Sequence, residues 1–174
     1  SISDSGVSNT DNLTNAGSLA FTVNGTVSGA TVELRMGTTV LGSAVATGTT
    51  TTITTNNLAA LGSGSYVLTA RQTQSNISSE NSPSLTINYD VTQPEAFPAT
   101  IIPTSANVGT AINVNIGHAE EGQGLVYGLQ GAPTGMTINS STGVLAWTPT
   151  ADQLGAQNYS ITMTDTAGNV RVQN

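Results

Sequence analysis

The acidic side chains and a few asparagines are the residues whose chemistry is most distinctive in this sequence. Asp and Glu number 10 among 174 residues, and several fall in segments rich in Gly, Asn and Thr. Calcium takes roughly six to eight oxygen ligands from carboxylates, carbonyls and amides. Calcium is therefore the ion that we expect this chain to bind. The candidate ligands of the main site are Asp90, Glu95, Glu120, Glu121, Asp165 and Asn169.

Other chemistries fail because the necessary residue types are missing. His118 is the only histidine, so a site with several histidines is excluded and a Ser-His-Asp triad would depend on this one loop residue. The absence of cysteine excludes disulfides, thiolate zinc sites and a catalytic thiol. Opposed carboxylates for glycoside hydrolysis could come only from Asp90 with Glu120 or Asp165, and aromatic subsites are lacking. We expect no enzymatic activity.

The charge composition limits the partners. Only 7% of the residues are charged, the formal net charge is -7, and lysine is absent. Arg35, Arg71 and Arg171 lie far apart in the sequence, whereas phosphate binding needs clustered cations. We therefore expect no nucleic-acid partner. No apolar run is long enough to span a bilayer, so we expect no membrane insertion in this segment.

Short alternating runs of apolar and polar residues, bounded by Gly, Asn and Ser, recur roughly every ten residues. This period predicts an all-β fold of two tandem sandwiches, with one helical turn at 57–61. The predicted strands are 18–23, 30–36, 39–45, 50–55, 65–72 and 84–89, then 99–102, 111–116, 125–129, 136–138, 144–147, 157–164 and 169–172. Val126, Leu145, Trp147 and Leu154 are among the predicted core residues. Trp147 could instead be a platform for sugar stacking, but a lone Trp in an alternating strand favours the core.

A hinge at 89–94 divides the chain, because an acid, a β-branched pair and Pro94 follow the last alternating strand of the first half. We predict one domain over residues 1–92 and a second over 93–174. The second domain is expected to end in its last strand, stopped early. Ser1 begins in polar sequence without the pattern of a signal peptide, so the chain looks like a fragment of a longer protein.

The first half resembles the bacterial Ig-like repeats of very large secreted adhesins, the biofilm-associated and RTX-type surface proteins. The matching motifs cover nearly all of the first 94 residues, at 4–15, 29–34, 41–43, 64–70 and 90–94. The second half resembles a different repeat of such proteins, the type named Putative Ig or cadherin-like. Its motifs lie at 125–127, 135–139, 141–150 and 159–165. Together they imply an extracellular tandem-repeat segment whose linkers bind calcium, and no enzyme.

An Ig-type sandwich brings the distant acids together. Glu120 and Glu121 fall in the predicted loop between the second and third strands of the second domain, and Asp165 and Asn169 in its last loop. The last strand of the first domain ends facing these loops, so Asp90 and Glu95 join them. Unscreened like charges repel, and a divalent cation relieves this cost. The alternative is a set of solvated loop acids. Glu120 and Glu121 are adjacent, so both can be ligands only if the loop is irregular.

The amino-terminal loop is a second, weaker calcium candidate, because Asp4 and Asp11 flank Gly6, Asn9 and Thr10. In its relatives the partnering loop of the same domain carries an Asp. The equivalent segment here, 72–76, has no acid. The alternative is a polar turn in which Asp and Asn side chains bond their own backbone.

These observations predict a non-enzymatic spacer segment of a large extracellular adhesin at the bacterial cell surface, with calcium stiffening the linker at 90–94. Its partners would be neighbouring repeats of the same chain. One alternative is a subunit of a sheath, S-layer or filament, in which end segments at 1–9 and 170–174 add to the sheets of other copies. Another is a module that binds carbohydrate or protein through its loops, which would need exposed aromatic residues.

Overall fold

The structure, a computed structural model, describes residues 4–98, 101–117 and 124–174. The chain divides into two compact units, Ser1–Thr92 and Gln93–Asn174, called the first and second unit below. Strands dominate the described parts of both units, and Leu58–Leu61 and Ala151–Gln153 form short 3₁₀ helices. The prediction of an all-β chain is confirmed.

The first unit is a sandwich of a large and a small sheet. Its strands are β1 (Leu13–Thr14), β2 (Ala20–Asn24), β3 (Thr31–Met36), β4 (Thr39–Val45), β5 (Thr50–Thr54), β6 (Gly64–Gln74), β7 (Ile77–Ser78) and β8 (Leu85–Tyr89). The large sheet has the order β1-β8-β6-β3-β4, with β7 also paired to β6, and β2 pairs with β5 in the small sheet. β1 runs parallel to β8, whereas the other pairs are antiparallel.

The alternation in the sequence sets the faces of these strands. On β3, Val32 and Leu34 are buried and Thr31 is exposed, and on β5 the buried residues are Thr51 and Ile53. Successive side chains of a strand point to opposite faces, so each strand contributes every second residue to the space between the sheets. The resulting core consists of Leu19, Phe21, Val32, Leu34, Leu41, Ala46, Ile53, Leu58, Leu68, Ile87 and Tyr89.

Local turn chemistry explains two connections of the first unit. Asn57 caps the 3₁₀ helix at Leu58–Leu61, because its side-chain oxygen accepts the Ala59 N–H at 3.0 Å. Ser75 and Asn76 both have positive φ, 50° and 63°, and join β6 to β7 as a two-residue hairpin turn. The sequence predicted the helical turn but missed β7 and β1, since two-residue strands show no period.

The second unit is a smaller sandwich of two antiparallel sheets. Its strands are β9 (Ile112–Asn115), β10 (Val126–Gln130), β11 (Thr137–Ile138), β12 (Val144–Trp147), β13 (Ser160–Thr164) and β14 (Val170–Gln173). One sheet has the order β10-β13-β14 and the other β11-β12-β9. Two buried clusters fill the interior, Phe97, Ile116, Leu125, Tyr127, Ile161 and Met163 in one, and Met136, Leu145 and Trp147 in the other.

The predicted strand at 99–102 is wrong in its described part. Residues 99–100 lie outside the described residues, and the Ile101 N–H donates to the Pro98 carbonyl at 3.0 Å, which makes a turn. Pro98 and Pro103 bracket this segment, and proline lacks the N–H that a sheet ladder needs. The chain beside β14 is instead the segment 93–98.

Two predicted core positions are also wrong. Leu154 is 76% exposed because it follows the 3₁₀ helix at Ala151–Gln153 and belongs to no strand. Val126 is 44% exposed because Tyr127, its neighbour on β10, points inward and fixes the alternation of that strand. Trp147 is 9% exposed, so its prediction as a core residue is confirmed.

Candidate functional site

Asp165 and Asn169 form the most closely built part of the predicted site. Asp165 directly follows β13, and Asn169 directly precedes β14. The Asp165 carboxylate accepts the Asn169 backbone N–H at 2.9 Å through Oδ1 and the Asn169 side-chain amide at 3.0 Å through Oδ2. The turn is closed by the Asp165 N–H, which donates to the Asn169 carbonyl at 3.1 Å. Gly168 adopts φ 95°, which side-chain-bearing residues rarely reach.

This turn places a carboxyl group in the protein interior. Asp165 is 2% exposed and Asn169 is 8% exposed. The ion pairs of the described residues involve Glu33 with Arg35 at 2.5 Å and with Arg71 at 3.9 Å, and no arginine pairs with Asp165 there. A buried carboxylate without a cation is costly even when it accepts hydrogen bonds. The oxygens of this turn are of the type that suits a calcium ion.

Asp90 lies in the first unit, where it closes the end of β8. Its Oδ1 accepts hydrogen bonds from the Ser63 hydroxyl at 3.0 Å and from the Thr92 N–H at 2.9 Å. The Ser63 hydroxyl oxygen also accepts the Val91 N–H at 3.0 Å, so Ser63 holds both Asp90 and the residue that follows it. Ser63 lies between two glycines and carries no local signal of this role, because its contact with Asp90 spans 27 positions of the chain.

The other predicted ligands of the main site are not brought into one cluster by the described residues. Glu95 is an exposed residue of the second unit, and Glu120 and Glu121 lie outside the described residues. Across 4–98, 101–117 and 124–174, no group of three or more His, Asp or Glu side chains lies close enough to hold a metal ion. Asp165 with Asn169 is the part of the set whose mutual contact is described.

The two acids of the amino-terminal loop bond the backbone separately. Asp4 Oδ2 accepts the Asn12 N–H at 3.0 Å, and Asp11 Oδ1 accepts the Leu13 N–H at 3.0 Å. Asn12 adopts φ 61°, and the chain bends there. Asp4 Oδ1 is buried and has no hydrogen-bond partner within the described residues, while Asp11 is exposed. Asp4 is therefore the better placed of the two to contact a cation.

The structure places this loop at a different end of the first unit than we expected. The Ser5 hydroxyl contacts that of Thr14 at 2.8 Å, and the Thr14 carbonyl accepts the Asp90 N–H at 3.0 Å. The turn at Ser75 and Asn76 lies at the opposite end of β6, about 35 Å away along an 11-residue strand. The expected pairing of the amino-terminal loop with 72–76 is wrong, because β1 pairs with the end of β8 that carries Asp90.

The aromatic residues offer no exposed binding cluster within the described chain. The exposed large hydrophobic residues there are all Val, Ile or Leu. Phe21, Phe97, Tyr89, Tyr127 and Trp147 are buried in the sandwich interiors. A sugar-binding face built from stacked aromatic rings therefore has no described counterpart.

The described residues contain no helix with the length and apolarity that crossing a bilayer requires.

Comparison with known families agrees with this architecture. Residues 1–91 match the family described as Bacterial Ig-like domain. Residues 91–174 match the family described as Putative Ig domain. A comparison with curated proteins found no match. The prediction of two different Ig-like repeats in tandem is confirmed, and the chain belongs to the bacterial Ig-like domain family.

Proposed function

We propose that this chain is a non-enzymatic spacer segment of a large extracellular bacterial adhesin. The observation that carries the proposal is the succession of two β-sandwich units that match two different Ig-like families. Bacterial Ig-like domains are typical of surface proteins. A chain of such units gains length by adding repeats, because each unit has its own hydrophobic core.

We also propose that calcium stiffens the linker at 90–94. Asp165 supports this proposal, because it is buried beside Asn169 and its charge is not compensated by an arginine of the described chain. Asp90 and Glu95 would add carboxylates from either side of the unit boundary, and Glu120 or Glu121 would complete the set. A bound calcium ion would supply the positive charge that these carboxylates need, and ordering the linker would restrict its rotation.

The amino-terminal loop is the second proposed calcium site. Asp4 supports it because Oδ1 is buried without a hydrogen-bond donor among the described residues. Asp11 would contribute from the same loop. Because this loop contacts β1 next to Asp90, an ion there would stabilise the end of the first unit that leads to the linker.

The experiment is a thermal melt of the whole chain in chelator and then in increasing calcium. A ligand that binds only the folded state raises stability by about 2.7 kcal/mol at a concentration of about 100 times its Kd. We expect Asp165→Asn and Asp90→Asn to reduce the calcium-dependent rise in Tm, because each removes a ligand of the linker site. Asp4→Asn should also reduce that rise, because it removes a ligand of the site in the amino-terminal loop. Glu80→Gln is the matched control, because Glu80 is an exposed acid outside both sets.

Small-angle X-ray scattering of the same samples measures the linker directly. We expect calcium to narrow the distribution of overall dimensions, and Asp90→Asn to abolish the narrowing. A chain whose Tm and dimensions do not respond to calcium would contradict the metal sites and leave a spacer with an ordinary flexible linker. Ordered lattices or filaments in electron micrographs of the purified chain would favour the surface-assembly alternative over the spacer.

A further inference from the structure

The two units fasten their first segment to their last strand by different means. In the first unit, β1 runs parallel to β8. The Asn88 N–H donates to the Asn12 carbonyl at 2.8 Å, and the Asp90 N–H donates to the Thr14 carbonyl at 3.0 Å. Thr14 and Tyr89 are 1% and 2% exposed, so the joint is shielded from water. Both bonds join one backbone directly to the other.

The second unit has no such backbone ladder at the same place. The segment 93–98 lies beside β14, and Arg171 Nε donates to the Pro94 carbonyl. The Gln173 side-chain amide donates to the Phe97 carbonyl at 2.9 Å. The contacts follow the same order along both segments, so the two run parallel. No backbone hydrogen bond joins 93–98 to 170–173 in the described chain. Pro94 and Phe97 are buried and anchor the segment through packing.

Tension between the ends of the chain loads these two joints in the same direction. A pull draws the first segment of each unit towards its amino end and the last strand towards its carboxyl end. Because the paired segments are parallel, they slide past each other, and all the bonds between them bear load together. Backbone hydrogen bonds in a paired strand allow little movement. Arg and Gln side chains have several rotatable torsions, so they extend under a pull before their hydrogen bonds bear load.

We propose that the segment 93–98 is a release strap, which lets the second unit open under tension while the first unit remains folded. Release of the strap exposes the edge of β14 and removes Phe97 from the core. The rest of the core of the second unit is then open to water, and the unit unfolds. Forced unfolding is governed by the rate of this first step. The use of such a strap rests on the proposed spacer role, but the order of opening depends only on the contacts above.

Single-molecule pulling on the whole chain, with handles at both ends and in chelator, tests the order. An insertion of about 20 Gly and Ser residues between Ser75 and Asn76 marks the first unit, because it lengthens that unit's extension by about 70 Å. We expect the unfolding event without the added length, which is that of the second unit, to occur first and at the lower force. A first event that carries the added length would overturn the proposal.

A strap variant tests the mechanism. Removing two hydrogen bonds with Arg171→Ala and Gln173→Ala together should shorten the lifetime of the second unit at constant force by about tenfold. The lifetime of the first unit should not change. Arg71→Ala is the matched control, because Arg71 lies on β6 of the first unit. An unchanged lifetime of the second unit in the double variant would contradict the proposal.

A change of pulling direction tests whether Arg171→Ala and Gln173→Ala act through the strap or only lower the stability of the second unit. The chain has no native cysteine, so Thr134→Cys, at an exposed turn, gives a unique attachment point. With Ser141→Cys as a second exposed attachment point, pulling between residues 134 and 141 loads neither 93–98 nor β14, and the strap variants should then leave the lifetime unchanged. An equal shortening in this direction would show that Arg171 and Gln173 only stabilise the fold. The calcium response of the Tm is independent of both results, so failure here leaves the proposed function standing.

Discussion

Gly42 on β4 lies directly against the Thr54 carbonyl oxygen of β5. A Cβ at position 42 would be 2.4 Å from that oxygen and 3.1 Å from Ile53 Cγ2. The Asn56 N–H also donates to the Leu41 carbonyl at 2.7 Å. β4 therefore crosses from the large sheet to the edge of the small one and closes that side of the first unit.

Gly42→Ala should destabilise the first unit by about 1–3 kcal/mol, because the added methyl meets backbone that cannot rotate away. Gly48→Ala is the matched control, since a Cβ there has nothing within 4 Å. Urea unfolding of both variants measures the difference as a shift in the transition midpoint. Equal midpoints for the two variants would show that β4 moves away from β5 at little cost.

Leu145→Ala should cost about 2–5 kcal/mol in the second unit, because Leu145 is 1% exposed in the core and its loss leaves a cavity. Leu154→Ala removes the same atoms from a side chain that is 76% exposed, and we expect a change within about 0.5 kcal/mol. Chemical denaturation monitored by Trp147 fluorescence compares the two. A large effect of Leu154→Ala would mean that this residue is buried in solution.

Thr55 supplies an acceptor that the small sheet needs. Its hydroxyl oxygen accepts the Leu19 N–H at 2.9 Å, and both residues are buried. Thr55→Val keeps the shape but leaves that N–H without a partner, which should cost about 1–3 kcal/mol. Thr54→Val, at an exposed position of β5, should change stability by less than about 0.5 kcal/mol. Thermal melts of the two variants test this, and similar Tm values would contradict the role of the Thr55 hydroxyl.

Alkaline pH should weaken the fold through its buried tyrosines. Burial raises the pKa of Tyr89 above its usual value of 10.0, with the nearby Tyr66 adding to the shift, and burial also raises the pKa of Tyr159. The folded state therefore retains the phenol protons more strongly than the unfolded state. This contribution to stability is complete below the unfolded pKa of about 10 and is lost as pH rises through the folded pKa.

Tyr89→Phe should reduce that alkaline loss. The Tyr89 hydroxyl is buried without a hydrogen-bond partner in the described chain, so the substitution should be nearly neutral or stabilising at pH 7. Tyr66→Phe is the control for the effect at pH 7, because the Tyr66 hydroxyl donates to the Leu61 carbonyl at 2.7 Å, and its loss should cost about 1 kcal/mol. Urea midpoints from pH 7 to 11 provide the measurement. If the urea midpoint of Tyr89→Phe fell with rising pH as steeply as that of the unsubstituted protein, Tyr89 would not be the source of the alkaline loss of stability.

Local patterns in the sequence were sufficient for most of the strands and for the turn that carries Asp165 and Asn169. Alternation of apolar and polar residues predicted the bounds of β4 and β12, because the two-residue period of a strand is visible in consecutive residues of the sequence. Asp165 and Asn169 were expected together because they flank one short turn, and their contact spans only four positions. Leu154 was misassigned because it carries the chemical character of a core residue without lying in a strand.

Composition and local order therefore determined the fold class, the turn that carries Asp165, and the exclusion of thiol chemistry. The tertiary structure alone decided that Ser63 meets Asp90, that the amino-terminal loop joins β8 at its Asp90 end, and that Arg171 reaches Pro94. The physical reason is that a two-residue period fixes which face of a strand is buried but not which strand lies beside it. Those neighbours are chosen by packing of the whole sandwich, over separations that reach 77 positions for Arg171 and Pro94.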